Sequence, residues 1–144
     1  MPLYSGGFNS TVGTTTAPCF DIKASATNSP RLLELAISVT TAAASTYLIG
    51  RPGNDGSVAQ SSATLLQAED TLAPAAQTGT AVAWSTAPTV PAATLRRVIF
   101  PNTVGAGIIW TFPRGILMAV SKGLVVWNVA ANSSSVNFVV VVDE

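Results

Sequence analysis

Between Gly105 and Gly115 the chain reads Gly-Ala-Gly-Ile-Ile-Trp-Thr-Phe-Pro-Arg-Gly, with Ile108, Trp110 and Phe112 on one side of an extended backbone and Ile109 and Thr111 on the other. Side chains repeat every two residues along a strand and every 3.6 along a helix, so this stretch is a β-strand with an aromatic core face. Proline removes a ladder donor and glycine accepts positive φ, so the preceding glycines and Pro113-Arg114-Gly115 are expected to end the strand on both sides. Other strands must then cover the aromatic face.

The same periodicity supplies them. Arg31 to Thr41 places Leu33, Leu35, Ile37 and Val39 on one face, and Thr46 to Gly50 follows as its partner. Thr78, Thr80, Val82 and Trp84 alternate, and Thr94 to Phe100 forms a further strand. Ile116, Met118 and Val120 predict a strand that Ser121-Lys122-Gly123 reverses into Leu124–Val129. Asn132 to Ser135 turns into Val136–Val142, whose two apolar faces imply cover on both sides. The segment 61–70 reads as a strand or a short turn. Asp55-Gly56 suits a turn with left-handed backbone. Strands separated by Gly, Pro, Asn and Ser turns, with no helical period of any length, predict an all-β antiparallel sandwich of jelly-roll type.

Residues 1–16 are rich in Gly, Ser and Thr and predict an extended arm, laid along its own sandwich or along a neighbour, ahead of one β-sandwich domain over 17–144. The sandwich's own hydrophobic set begins after the arm, so removing Met1–Gly13 is expected to weaken docking more than folding. The N-terminus lacks a basic region and an apolar core, and Ala36–Gly50 is interrupted by Ser and Thr, so neither a secretory signal nor a membrane span is expected.

Only 10% of the 144 residues are charged, seven of each sign, and 48% are hydrophobic. Small soluble domains carry roughly 25–35% charge on their surfaces, so much of this surface is expected to be covered. Arg96-Arg97 is the only basic pair, which argues against a nucleic-acid partner, because phosphate neutralisation by clustered Lys and Arg supplies most of that affinity. The absence of histidine removes Ser-His-Asp, Cys-His and His-ligated metal constellations. Cys19 has no second thiol and no base, Ser121-Lys122 fits a turn, and the adjacent acid pairs would point to opposite strand faces. No catalytic, metal or cofactor residue is therefore expected. Trp84, Trp110 and Trp127 all lie in alternating apolar strands and read as core; a sugar-binding platform would need one of them exposed beside polar groups. The expected interface residues are Tyr4 and Phe8, which need something to pack on, and Arg96, Arg97 and Arg114, which lie beside strand ends and would otherwise be solvated.

The segments Leu95-Arg96-Arg97-Val98, Gly105–Gly115, Val126-Trp127-Asn128-Val129-Ala130, the Ser5–Ser10 arm and the terminal Val140-Val141-Val142-Asp143-Glu144 together resemble a group of small tailed-bacteriophage structural proteins. The resemblance implies a virion component of jelly-roll type, a capsid decoration or cement protein that sits on the outer shell as a homo-oligomer, commonly a trimer. Its partners would be itself and the major capsid protein. A host-recognition or carbohydrate-binding head of a fibre or spike, or a neck or tail component, is the alternative.

Overall fold

The structure is a computed structural model that describes residues 2–58, 63–130 and 134–144. Among these the chain forms thirteen strands and no helix. In order they are β1 (Leu3–Asn9), β2 (Phe20–Lys23), β3 (Arg31–Val39), β4 (Ser45–Gly50), β5 (Ser57–Val58), β6 (Ala63–Leu65), β7 (Gln67–Ala68), β8 (Gly79–Ala81), β9 (Trp84–Thr86), β10 (Thr94–Phe100), β11 (Gly107–Leu117), β12 (Gly123–Asn128) and β13 (Val136–Asp143). A five-stranded sheet, ordered β11-β3-β13-β1-β7, packs on a six-stranded sheet, ordered β10-β4-β12-β2-β8-β6, and β5 pairs with β9 in a separate ribbon. Every pairing is antiparallel. The fold is a β-sandwich, as the alternation predicts.

The pairings nest. β1 pairs with β13, β2 with β12, β3 with β11 and β4 with β10, so the two halves of the chain run as one long antiparallel ribbon. Its tip is the segment 51–93, and its pairs alternate between the sheets as the ribbon folds over. Alternation then fills the interior: Leu35, Ile37, Val39, Phe138, Val140 and Trp110 face inward from one sheet, Phe20, Ile22, Tyr47, Ile49, Leu124 and Val126 from the other. Phe20 and Phe138 stack across the two sheets with ring centroids 3.6 Å apart.

Several expectations need correction. The strand over 45–50 is not the partner of β3: β4 lies in the other sheet between β10 and β12, while β3 pairs with β11 and β13. Residues 113–115 do not end the strand. β11 runs through them to Leu117 with a bulge, because Thr111 pairs with Glu34 and the next pair is Ile116 with Leu32. Gly115 makes this possible with φ of 63°, a conformation a side chain would resist. The bulge has a counterpart on the other flank of β3, where Val141 pairs with Glu34 but Val142 with Leu32, so Leu32 rather than Leu33 enters the core. Beyond Leu117 the expected strand is a connection: Met118 is buried and donates its N–H to Pro30, while Val120 is exposed. The strand expected over Thr78–Trp84 is two, with β8 in the large sheet and β9 in the ribbon. Of the segment 61–70, 63–65 and 67–68 are strands that switch sheets at the buried Leu66, while 61–62 lie outside the described residues, as do 132–133 of the expected turn.

The segment expected as an arm lies along its own sandwich. Leu3–Asn9 is β1, in register with β13 over its whole length, and Tyr4 and Phe8 face the core. The sandwich therefore does not begin after the arm, because β1 carries part of its interior.

Candidate docking surface

The outward side of the five-stranded sheet is built by the register itself. Gly107, Ser38, Asn137 and Asn9 stand in one row across four strands, Ile109, Ala36, Val139 and Gly7 in the next, and Thr111, Glu34, Val141 and Ser5 in the third. All twelve are exposed or half-buried, and Glu34 is the single charge among them. Ile109 is 62% and Val139 42% exposed, standing above small neighbours. The result is two shallow depressions that meet at Asn137 and Val139, of about 420 Å³ beside Ile109 and Gly107 and about 270 Å³ beside Gly7 and Asn9. Gly107 lines the larger one and has no room for a side chain, since a Cβ there would sit 2.7 Å from the Ile37 carbonyl oxygen. Such a face offers shape and apolar contact with almost no desolvation of charge.

The opposite sheet is different because two pieces of the connection between β4 and β10, around Asp55–Gly56 and around Trp84, lie against its outer side. Asp21 is buried there, accepting from Trp84 Nε1 and from the Ala81 N–H, both at 3.1 Å. Asp55 accepts from Lys122 Nζ and the Gly123 N–H, both at 2.9 Å, and Lys23 Nζ donates to the Gly56 carbonyl at 3.3 Å. All four carboxylate oxygens of Asp21 and Asp55 thus hold protein donors and fasten these two pieces. On the same outer side Leu48, Val125 and Trp127 form a small second cluster, so Trp127 is buried although it points away from the main core. Burial pushes the Asp21 carboxyl up to about 6, against the opposing pull of Trp84, Lys23 and Ala81.

Of the expected interface residues, Tyr4 is interior and donates its hydroxyl to the Pro74 carbonyl at 3.0 Å. Phe8 is half-buried against Phe138, with centroids 5.5 Å apart. Neither offers a free surface, because a strand pairing with β13 carries both inward. Arg96, Arg97 and Arg114 are exposed, and the fold brings them together on the two free edge strands β10 and β11. The Arg96 guanidinium lies over the Phe112 ring, 5.4 Å from its centroid. Sequence reasoning missed two companions: Arg31 donates to the Arg114 carbonyl at 3.1 Å and Arg51 to the Leu117 carbonyl at 2.8 Å. All five arginines of the chain therefore gather at one edge, and among the described residues none has a carboxylate partner.

Cys19 is buried, and burial pushes its thiol up to about 11, far from thiolate chemistry at neutral pH. Among the described residues no group of His, Cys, Asp or Glu is placed to hold a metal ion. Trp110 is buried, and Trp84 is half-buried with its N–H engaged by Asp21. No family model, curated protein or solved structure matches the chain.

Proposed function

We propose that this chain is a virion structural protein, a capsid decoration subunit that adheres to an assembled protein shell through the outward face of its five-stranded sheet. The observation that carries the reading is the twelve-residue grid with a single carboxylate, on a chain that has few charges to place anywhere. The nested pairing of β1 to β4 with β13 to β10 supports the jelly-roll element of the reading, since two Greek keys arise when such a ribbon rolls up. The resemblance of the Gly105–Gly115 and C-terminal segments to tailed-bacteriophage structural proteins points the same way. Binding of this kind needs no chemistry: a ligand present only on the assembled shell shifts assembly by mass action, and many copies add their contributions.

A carbohydrate-binding head would need an indole open to a sugar, and Trp84, Trp110 and Trp127 give it little support. In the favoured reading, replacing Ile109 or Val139 by Asp places a charge in the contact while the core stays intact. Co-sedimentation with shells of the parent particle that lack this protein should fall by about a hundredfold in affinity, as burying an unpaired charge costs several kcal/mol. Melting temperature should be unchanged. Undiminished shell binding by both variants would remove this face from the contact.

A further inference from the structure

The two edges of the sandwich carry opposite charge. On the β10–β11 edge stand Arg31, Arg51, Arg96, Arg97 and Arg114, all exposed. At the other edge, Glu69 and Asp70 follow β7 directly and are exposed. Glu144 lies beside them, accepting from the Gln77 and Thr78 N–H groups of the β7–β8 loop. The two lysines are elsewhere, on the outer side of the six-stranded sheet, where one pairs with Asp55 in the only ion pair among the described residues. A neutral chain with fourteen charges has thus segregated five cations to one edge and three anions to the opposite one.

Each edge also carries bare apolar side chains. Ile99, on β10, is 73% exposed and Leu117, on β11, 45%, while across the molecule Leu72 is 92% and Leu65 51% exposed. We propose that the arginine edge of one copy docks on the acidic edge of the next, a head-to-tail contact between copies of this chain in which Arg96, Arg97 and Arg114 face Glu69 and Asp70 and the exposed leucines and isoleucine meet between them. A head-to-tail contact uses different surfaces on the two partners, and closes into a ring where its rotation allows. The bulge and Pro113 keep β11 from simply adding a strand to a neighbour's sheet, so side chains govern the contact. The inference rests on the assembly reading only for what the oligomer is used for; the contact itself forms without a shell.

The test is sedimentation velocity on the full chain at low and high salt. Wild type should associate at low salt, and weaken as salt rises. A basic-edge variant, Arg96→Glu with Arg97→Glu and Arg114→Glu, and an acidic-edge variant, Glu69→Lys with Asp70→Lys, should each associate at least about tenfold more weakly, with circular dichroism unchanged. Mixing the two variants should restore association, because each still offers one native edge to the other. A monomeric wild type at low salt would overturn the proposal, as would association indifferent to both reversals or a mixture that stays monomeric. Wild type that binds single-stranded DNA yet ignores its own copies would assign the arginine edge to a polyanion instead. Ile109→Asp should keep the oligomer, so undiminished shell binding by that variant would count against the docking face and not against this contact.

Discussion

At the scale of single residues, the most informative group is Asp21, which no motif marks. Its carboxylate is buried with hydrogen bonds to both oxygens, yet the removal from water outweighs them and lifts it from 3.8 to about 6. Its folded value lies above its unfolded one, so the folded protein binds the extra proton between pH 4 and 6. Stability is then greatest below this window, falls as pH rises through it, and is flat above; the total change is about 3 kcal/mol. Urea midpoints measured from pH 4 to 7 should show this decline in wild type, and Asp21→Asn should flatten it. The same slope in both proteins would place the titration elsewhere. Sequence could place Asp21 on a strand but not bury it, because what covers it arrives from Trp84, some sixty residues later.

At the scale of elements, period two was readable wherever a strand stays regular. Val136, Phe138, Val140 and Val142 face inward as their spacing demands, and Ile108, Trp110 and Phe112 turn toward the core. Periodicity loses its meaning where one strand spends extra residues against its partner. That is why Leu32 replaces Leu33 in the interior and why residues 113–115 read as a stop. β1 was obscured for another reason: Ser5, Gly6 and Gly7 contribute backbone hydrogen bonds rather than apolar area, and a composition poor in apolar residues hides a strand whose partner lies at the far end of the chain. Its integration makes a sharp prediction. Tyr4→Ala should destabilise the isolated protein by about 3–5 kcal/mol, the usual loss for a large buried aromatic, seen as a lowered melting temperature. Removing residues 2–9 should prevent cooperative unfolding altogether; a truncated protein that melts like the full chain would show β1 to be dispensable.

At the scale of the whole molecule, the nested ribbon brings distant residues together, and it is this pairing that periodicity cannot supply. Arg96 and Arg97 are adjacent in sequence, but Arg31 and Arg51 join them only because β3 pairs with β11 and β4 with β10. The three rows of the docking face are assembled the same way, from strands at both ends of the chain. What was readable beforehand was the charge depletion, from which a covered surface was expected; the pattern of the face proposed for that role is a product of the register. Stabilisation of the shell through adhesion by that surface is what is proposed. It is tested most directly by heating particles assembled with and without this protein and recording the temperature at which they release their genome. The release temperature should be higher when the protein is present, by an increment that Val139→Asp removes. Equal release temperatures with the wild-type protein bound at full occupancy would contradict it.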